Sequence, residues 1–310
     1  MIRMQRTKRK NTFPPTCICT GDWHLRESTP ACRTDNFWEA QWKKVAFVRD
    51  LQIKYQCPVI HSGDLFDHWK PSPYLLSQAF KNLPDQFWTI YGNHDLPYHA
   101  LENAYKSGVD TLLAGGRITM LSGVHWEQTP QENSGILFPR METDRKMLVW
   151  HVMTYTGKLP WPGCTDTHAD KLLQQYPQFD IILTGHNHKF FVAQDGNRLL
   201  LNPGSLTRQT ADQIDHKPSV FLYSAETNAI ERIFLPIEKE VMSREHIAVK
   251  ERRDKRIEVF VEHLKQEWES DTPGKKEISF EKNLEAALHN SKSILSKDVI
   301  TIIHKAIETP

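Results

Sequence analysis

Short apolar runs alternate with clusters of Asp, Asn and His between residues 17 and 188, and each run ends directly in a cluster. Continuous apolar runs of this length are typical of strands buried on both faces rather than of helices. Ligands of layered α/β sheets lie in the loops just beyond the strand ends, so five strand ends are predicted to converge on one site. The five runs and their clusters are Cys17-Ile18-Cys19 with Gly21-Asp22-Trp23-His24, Pro58-Val59-Ile60 with Gly63-Asp64-Leu65-Phe66-Asp67, Phe87-Trp88-Thr89-Ile90 with Gly92-Asn93-His94-Asp95, Met147-Leu148-Val149-Trp150 with His151, and Ile181-Ile182-Leu183 with Gly185-His186-Asn187-His188.

Helical patterns lie between these strands, as an α/β layering requires. Asn36 and Glu39 form a capping pair ahead of apolar positions at helical spacing, and Pro58 follows the end of that segment. Ser72 and Pro73 are typical of an N-cap and a first helical position. A further helix is predicted from about 167 to 176.

The pattern changes after the last cluster. Strands are predicted over 198–201, 220–223 and 230–235, and the last two form a hairpin that closes a catalytic domain spanning 1–237. A small helical appendage occupies 238–310, where a basic run precedes an apolar stripe and two shorter helices follow at about 280–289 and 296–308. The residues concerned are Arg252, Arg253, Lys255 and Arg256 in the basic run, Ile257, Val261, Leu264 and Trp268 in the stripe, and Val299, Ile300, Ile303 and Ile307 in the last helix.

Composition narrows the class of protein. The chain has 310 residues, of which 39% are hydrophobic and 25% charged, which is typical of a folded protein with a sizeable core. Its net charge of +1 provides no global field for a polyanion, so any nucleic-acid binding must come from local patches. Five scattered cysteines lack the spacing of a zinc site, and no apolar stretch is long enough to span a membrane or follows the basic start as a signal sequence would. We therefore expect a soluble, cytoplasmic protein with reduced thiols.

The clusters together supply carboxylates, one Asn and at least four His, a mixed oxygen and imidazole set suited to Mn²⁺, Fe²⁺ or Zn²⁺ more than to Mg²⁺ alone. Two cations roughly 3.5 to 4 Å apart need about seven protein ligands with one bridging carboxylate, and such a pair clamps a phosphate and acidifies a bound water. A group that protonates the leaving oxygen must sit beside the metals without binding them and needs a carboxylate to orient it. His94, next to Asp95, fits that requirement.

Five motifs in one order resemble the calcineurin-like metallophosphoesterases: Asp22-x-His24, Gly63-Asp64-x-x-Asp67, Gly92-Asn93-His94-Asp95, a lone His151 and Gly185-His186-x-His188. Each motif alone is weak, but the ordered set is specific. The resemblance covers roughly the first 205 residues. It implies an α/β fold in which a layered β-sandwich is flanked by helices, with two divalent metal ions.

Carried over residue by residue, the resemblance implies that Asp22, His24 and His188 bind one metal and that Asn93, His151 and His186 bind the other. Asp64 would bridge the two metals, Asp67 would support a ligand from behind, and His94 would contact the scissile phosphate. Hydrolysis by attack of a metal-bound hydroxide follows from this assignment. Mn²⁺ is the expected metal, with Fe²⁺, Zn²⁺ and Mg²⁺ as alternatives.

Within that superfamily, Gly63-Asp64-Leu65-Phe66, Lys70-Pro71-Ser72 and Asn202-Pro203-Gly204-Ser205-Leu206 resemble the SbcD-type DNA repair nucleases. This resemblance implies Mn²⁺-dependent exonuclease and endonuclease activity on DNA and an SMC-like, SbcC-type ATPase partner that docks on the C-terminal helices. A homodimer is implied as well, through the helices after Asp64 and around Tyr98. The region after the catalytic domain is shorter than the DNA-capping domain of such nucleases.

Several alternatives stay open. Arg26, Arg33 and Arg208 are candidate contacts to DNA phosphates, although ordinary surface arginines explain them nearly as well. Trp23 and Trp69 flank metal motifs and either stack on unpaired bases or pack in the core. The same dinuclear site also serves a small-molecule phosphodiesterase or a phosphoprotein phosphatase, and a scaffold that lost its activity is a further alternative, against which the complete ligand set speaks.

Overall fold

A computed structural model describes residues 14–139 and 144–270. The basic segment 1–11 and the helices predicted near 280–289 and 296–308, with Val299, Ile300, Ile303 and Ile307, lie outside the described residues. The chain divides into two compact units, Met1–Ser243 and Arg244–Pro310. None of the described helices combines the length and the apolar character that crossing a membrane requires.

The first unit is built on two main sheets. The described strands are β1 (Cys17–Thr20), β2 (Val59–His61), β3 (Phe87–Thr89), β4 (Thr119–Met120), β5 (Ile136–Phe138), β6 (Arg145–Trp150), β7 (Thr154–Tyr155), β8 (Thr167–His168), β9 (Ile181–Thr184), β10 (Phe191–Asp195), β11 (Arg198–Asn202), β12 (Ser219–Ser224) and β13 (Ala229–Phe234). One sheet has the order β13-β12-β1-β2-β3-β4 and the other β10-β11-β9-β6-β5, while β7 and β8 form a separate pair. The mixed α/β architecture predicted from the sequence is confirmed.

The two sheets pack face to face because their apolar residues alternate between two layers. Cys17 and Cys19 of β1 face a shared core with Met147 and Val149 of β6, whereas Ile18 faces the opposite side. The outer faces are covered by helices, which gives four layers of helix, sheet, sheet and helix. Such layering leaves the ends of the central strands as the open edge where loops can form a site.

The helices begin at the predicted signals. The first helix, α1 (Phe37–Tyr55), is capped by Asn36, whose side chain accepts a hydrogen bond from the backbone N–H of Glu39 at 3.2 Å. The second, α2 (Pro73–Asn82), is capped by Ser72 and has Pro73 at its first position. Both pack against the β1-β2-β3 side with α3 (Gly108–Ala114), which the apolar pattern did not predict.

The predicted helix at about 167–176 is shorter than expected, because α4 spans Ala169–Gln175. Thr167 and His168 instead form β8, which pairs in parallel with Thr154 and Tyr155 of β7. The side chain of His168 then caps α4 by accepting from the N–H of Asp170. Because Thr167 and His168 pair with a distant strand, the helix starts two residues later than predicted. Local sequence patterns do not reveal such pairing.

The second unit contains α5 (Glu245–Ser270), which includes the predicted basic run. Ile257 and Val259 on this helix are half exposed. The side chains of Val261, Leu264 and Trp268, predicted to continue the apolar stripe, lie outside the described part of the chain. The predicted domain division at 237/238 stays a prediction.

Candidate metal centre

Five strand ends carry the predicted metal ligands to one place. Strands β1, β2 and β3 are parallel neighbours in one sheet, and β6 and β9 are parallel neighbours in the other, so their carboxyl ends lie at the same edge of the sandwich. The ligand-bearing loops follow these five strands directly. The seven residues are Asp22, His24, Asp64, Asn93, His151, His186 and His188.

Three groups of possible ligand atoms form within this edge, and the third joins His24 with Asp67 and His94. The first joins Asp22, His24 and His188, and the second joins Asp64, His151 and His186, with the ligand atoms of each group within 4.8 Å of one another. The first two groups match the two metal positions that the family resemblance implies. The residue assignment itself stays a prediction, but the structure brings all of its members together.

Asp64 lies between the two groups. Its Oδ2 atom is 3.5 Å from His24 Nε2 and 3.3 Å from His151 Nε2, so one carboxylate oxygen faces a histidine of each group. Its other oxygen, Oδ1, accepts a hydrogen bond from the backbone N–H of His94 at 2.8 Å. A carboxylate in this position suits the bridging role in a dinuclear centre.

Asn93 completes the second group. Its amide oxygen is 2.9 Å from His186 Nδ1 and 3.1 Å from His151 Nε2. The ring of His151 is fixed from behind, because its Nδ1 donates to the carbonyl oxygen of Ser62 at 2.7 Å. Holding one ring nitrogen on a backbone carbonyl directs the other toward the site, an arrangement typical of histidine ligands to metals.

Buried polar atoms of the first group fit a divalent cation. Asp22 Oδ2 and both ring nitrogens of His24 are buried and have no hydrogen-bond partner among the described residues. Burial of a polar group without a partner costs several kcal/mol on some scales and is rare in folded proteins. A cation bound by Asp22 Oδ2 and one ring nitrogen of His24 would satisfy those two atoms, so the side chains present fit the metal that the family implies.

Burial and neighbouring charges shift the pKa values of the buried ligand residues in different directions. Burial holds the pKa of His24 well below its ordinary value and lowers that of His186 to about 4, so both rings are neutral and have a nitrogen lone pair available. Burial would lower the pKa of His151 as well, but the charge of Asp64 outweighs this effect and raises it to about 9. For Asp64, burial opposes ionisation, yet the neighbouring His151 and His24 hold its pKa below the ordinary range. The Asp64 carboxylate therefore attracts positive charge to the middle of the site.

Backbone conformation at the ligands is unusual. Asp22, His24, Asp64 and His186 have φ values of 51°, 44°, 59° and 71°, in the left-handed region that residues other than glycine seldom adopt. Strain of this kind persists only where surrounding contacts enforce it, and it concentrates at functional sites. The four residues lie in three different loops, so the strain belongs to the site as a whole.

Gly63 allows the loops to approach closely. Its φ is +97°, and a Cβ at this position would lie 2.6 Å from His151 Nδ1 and 2.9 Å from the backbone nitrogen of Gly92. A Cβ at Gly92 would in turn overlap the Asp64 carboxylate. The glycines in these motifs are therefore required for space as well as for backbone freedom.

His94 lies beside the first group, with its ring centroid 4.6 Å from that of His24. Its Nδ1 donates to the backbone carbonyl of Asp67 at 2.7 Å. The structure thus corrects the prediction that the carboxylate of Asp95 orients this ring, because a backbone carbonyl does so. The Asp67 carboxylate lies 3.9 Å from His24 Nδ1, in agreement with a supporting role.

Asp95 organises the loop that carries Asp64. It is fully buried and accepts hydrogen bonds from the backbone N–H groups of Asp64, Leu65, Phe66 and Gly92 at 2.8 to 3.3 Å. Burial, and then the charge of Asp64, raise its pKa to about 7. Its role is therefore to position the Asp64 backbone rather than to touch substrate. This role is visible only in the structure, where the backbone N–H groups of both loops point at the Asp95 carboxylate.

The three arginines predicted to contact DNA differ in position. Arg26 forms an ion pair with Asp67 at 3.1 Å and so lies closest to the metal ligands. Arg33 is buried in a two-point ion pair with Asp35, and Arg208 is buried with its guanidinium donating to two backbone carbonyls. These internal contacts support a structural role for Arg33 and Arg208, and their contact with DNA stays a prediction.

The two predicted base-stacking residues also differ. Trp23 is completely buried, where its ring packs edge-on against His61 and Phe87. It therefore belongs to the core, the alternative that sequence analysis left open. Trp69 is partly buried and packs against His68. Sequence reasoning missed Trp126, whose ring centroid lies 4.8 Å from that of His186, since no motif marks it.

Comparison with known proteins identifies the family of the chain. The calcineurin-like phosphoesterase family matches residues 16–190, more than half of the chain. No curated protein matches the chain.

Three solved structures are similar at low identity. A novel archaeal phosphodiesterase shares 14% identity and covers 71% of this chain and 99% of its own, with a TM-score of 0.40. A Vps29 variant from Entamoeba histolytica shares 16% identity over 71% of this chain and 99% of its own, with a TM-score of 0.35. A predicted phosphoesterase from Streptococcus pneumoniae TIGR4 shares 16% identity and covers 72% of this chain and 98% of its own, with a TM-score of 0.33. Scores this low carry no argument, so family membership depends on the sequence match.

Proposed function

Because this chain belongs to the calcineurin-like phosphoesterase family, we propose that it is a Mn²⁺-dependent phosphodiesterase that cleaves DNA, as the SbcD-type nucleases do. The observation that carries the hydrolytic part is the position of Asp64, whose Oδ2 atom faces His24 at 3.5 Å and His151 at 3.3 Å. One carboxylate between two histidine groups is the arrangement that a dinuclear phosphoesterase requires.

Seven side chains would hold the metals in this proposal. Asp22, His24 and His188 would hold one ion, Asn93, His151 and His186 would hold the other, and Asp64 would contribute to both. Two bound divalent ions supply charge neutralisation of the phosphoryl oxygens and lower the pKa of a bound water. The mixed set of imidazole nitrogens and hard oxygens suits Mn²⁺, Fe²⁺ or Zn²⁺, and the SbcD-type resemblance implies Mn²⁺ among these.

His94 contacts the substrate in this proposal. Its Nδ1–H is committed to the carbonyl of Asp67, so Nε2 is the ring nitrogen that remains for the substrate. A protonated ring donates from this atom to the leaving oxygen, and the backbone N–H of His94 at the same time fixes Oδ1 of Asp64. The loop that carries His94 thereby also fixes the orientation of the Asp64 carboxylate.

The SbcD-type resemblance is supported by the contacts of the segment Asn202-Pro203-Gly204-Ser205-Leu206. The side chain of Asn202 donates to the backbone carbonyl of Lys189 at 2.7 Å, and the backbone N–H of Leu206 donates to the carbonyl of Asp22 at 3.2 Å. The segment therefore braces loops that carry ligands of both metals. This explains why its sequence accompanies the metal motifs.

The partner proposals follow from the same resemblance. An SMC-like, SbcC-type ATPase is proposed to dock on the C-terminal helices, to which the basic α5 belongs. A homodimer is proposed through the region around Tyr98, a residue that is exposed in the structure.

The test is digestion of end-labelled single- and double-stranded DNA in the presence of Mn²⁺, with the wild type compared with His94→Ala. Loss of a proton donor typically lowers the rate by about 10²- to 10⁴-fold, so His94→Ala should lose cleavage by that factor. The control is Asp50→Ala, at an exposed position on α1 outside the proposed site and dimer region, which should cleave at the wild-type rate.

Other substrates distinguish the alternatives. Hydrolysis of bis-p-nitrophenyl phosphate together with inactivity on every DNA would replace the nuclease by a small-molecule phosphodiesterase. Preference for p-nitrophenyl phosphate, a monoester, would indicate a phosphoprotein phosphatase instead. A purified wild type that hydrolyses none of these substrates with any divalent metal would refute the enzymatic proposal.

A further inference from the structure

An open cleft of about 480 Å³ adjoins the metal ligands. His186 and His188 line this cleft together with Tyr155 at the end of β7 and with Lys158 and Trp161 in the segment between β7 and β8. Lys189 lines the cleft beside His188. A substrate that occupies this cleft therefore lies beside two of the predicted metal ligands.

The segment between β7 and β8 is anchored at its base. Thr154 Oγ1 donates to the carbonyl of Thr167 at 2.7 Å, and Thr154 and Tyr155 of β7 pair with Thr167 and His168 of β8. On the metal side, the side chain of Asn187 donates to the carbonyl of Thr154 at 2.8 Å. The base of this segment is therefore fixed relative to the loop that carries His186 and His188.

The segment between β7 and β8 has a glycine at each end of its tip and two prolines between them. Gly157 and Gly163 have φ values of 76° and 82°, which glycine adopts without strain. Between them, Pro160 and Pro162 flank Trp161, and each proline fixes its own φ. The indole is consequently carried on a short rigid piece, in a place where it is 48% exposed.

Trp161 is the aromatic side chain of this cleft whose ring is most available. Tyr155 packs edge-on against His168, and Phe190 stacks on Phe221. Trp161 instead combines high exposure with a position on the cleft wall. Large exposed aromatic side chains at concave sites are typical of ligand contacts.

The charges of the cleft favour an anion. Lys158 and Lys189 line it, against the single carboxylate of Asp212, and both lysines are exposed. Flexible ammonium groups beside an aromatic face are the combination that binds single-stranded nucleic acid: the lysines contact phosphates and the aromatic ring stacks on a base.

We propose that Trp161, Lys158 and Lys189 form a subsite that binds the unpaired nucleotides next to the scissile phosphate of a DNA strand. This inference rests on the proposed function and specifies its substrate, because it requires a strand whose bases are accessible at the metal centre. A fully paired duplex cannot offer a base to Trp161 without opening its end.

The test measures binding separately from hydrolysis. Fluorescein-labelled single-stranded DNA is titrated with His94→Ala protein in Mn²⁺, a variant chosen so that the strand stays uncut, and anisotropy gives the Kd. Adding Trp161→Ala should raise the Kd about tenfold, a loss within the range expected for one base stack. Trp161→Phe should recover most of the affinity, and Tyr105→Ala, which removes an exposed aromatic residue outside the cleft lining, should leave the Kd unchanged.

A strand of abasic residues separates stacking from charge. The effect of Trp161→Ala should disappear on this strand, because its phosphates remain and its bases do not. Replacing both lysines by Ala should weaken the binding of the normal strand and of the abasic strand equally. It should also lower the slope of log Kd against log salt concentration by about 1.4, the value for two phosphates of a single strand.

An unchanged Kd for Trp161→Ala on normal strands, or an equal loss on abasic strands, would overturn the subsite, as would the absence of any binding to single strands. Hydrolysis of bis-p-nitrophenyl phosphate by the wild type is measured in parallel. A Trp161→Ala variant with unchanged base-dependent binding, in a protein whose hydrolysis is intact, refutes the subsite alone, whereas absent hydrolysis counts against the metal-dependent activity.

Discussion

Single residues at the metal centre are held in place mainly by backbone groups. Asp95 accepts from four N–H groups, His151 donates to the carbonyl of Ser62, and His94 donates to the carbonyl of Asp67. Backbone partners move less than side chains do, so they fix ligand atoms well enough to preserve the left-handed φ values of Asp22 and Asp64.

Another buried charge at the residue scale lies in α1, away from the ligand groups. Lys44 is 5% exposed, and its Nζ is 3.4 Å from the carbonyl of Ala40. Burial, and then the charges of Arg33 and Arg208, lower its pKa to about 8 from 10.5. Below pH 8 the folded protein therefore carries a buried ammonium that water would solvate better. Between pH 8 and 10.5 the folded state releases this proton first, so the unfavourable effect fades as pH rises.

We expect Lys44→Met to be more stable than the wild type at pH 7 by about 3 kcal/mol, since each pKa unit corresponds to about 1.4 kcal/mol. The gain should shrink toward pH 10.5. Urea unfolding at pH 7 and pH 10 measures both effects. The control is Lys43→Met, at a neighbouring exposed lysine paired with Glu39, which should show no gain. An equal gain at both pH values would disprove the electrostatic cause.

The ligand residues were predictable from sequence because each follows an apolar run, and the strand period fixes where that run ends. The role of Asp95 was not predictable, since it depends on N–H groups from a different loop. The burial of Arg33 and Arg208 likewise depends on contacts between segments far apart in sequence. Trp161 belongs to no periodic pattern, and only the fold places it beside the metal ligands.

Elements are joined at their ends by a few polar side chains. Arg117 follows α3 and donates to the backbone carbonyls of Phe80, Leu83 and Pro84 at the carboxyl end of α2. The last carbonyls of a helix have no partner within the helix, and one planar guanidinium satisfies several of them together. Arg117 thereby attaches α3 to α2, and both helices cover the same face of the sheet.

Arg117→Lys should destabilise the first unit by about 2 kcal/mol. The lysine side chain is shorter, and its ammonium group can replace at most one of the three hydrogen bonds that the guanidinium donates. Thermal unfolding should occur at least about 4 °C lower, while hydrolysis of bis-p-nitrophenyl phosphate at 25 °C stays at the wild-type rate. Arg253→Lys, at an exposed position, provides the matched control. A variant as stable as the wild type would show that a single charge suffices at this junction.

Element boundaries show where sequence patterns stop being informative. Caps at Asn36 and Ser72 fixed the starts of α1 and α2, because capping is a local interaction. The start of α4 was displaced by the pairing of β8 with β7, and β10 was missed because an edge strand with exposed residues has no continuous apolar run. Local rules therefore describe helix starts and buried strands, while pairing at sheet edges requires the assembled fold.

At the scale of the whole molecule, the metal centre connects the two sheets. Asp22, Asp64 and Asn93 follow strands of one sheet, whereas His151 and His186 follow strands of the other. Metals bound by both sets would link the two layers of the sandwich. Such ions bind the folded protein but not the unfolded chain, so they stabilise the fold.

Mn²⁺ at 100 times its Kd should stabilise the protein by about 2.7 kcal/mol, and EDTA should remove this gain. Thermal unfolding with and without the metal measures the shift. Asp64→Asn should abolish most of the shift, because it removes the charge between the two groups, whereas Asp50→Asn, at an exposed site, should keep it. An undiminished shift in Asp64→Asn would place the stabilising ion elsewhere.

The anchored segment between β7 and β8 also has a consequence for how this protein could diverge. Its base is fixed by pairing and hydrogen bonds, while Gly157 and Gly163 isolate the residues between them from the rest of the fold. Changes in that short stretch leave the strand ends and their ligands untouched. Under the proposed subsite, exchanging this one segment would alter substrate choice without changing the residues of the metal centre.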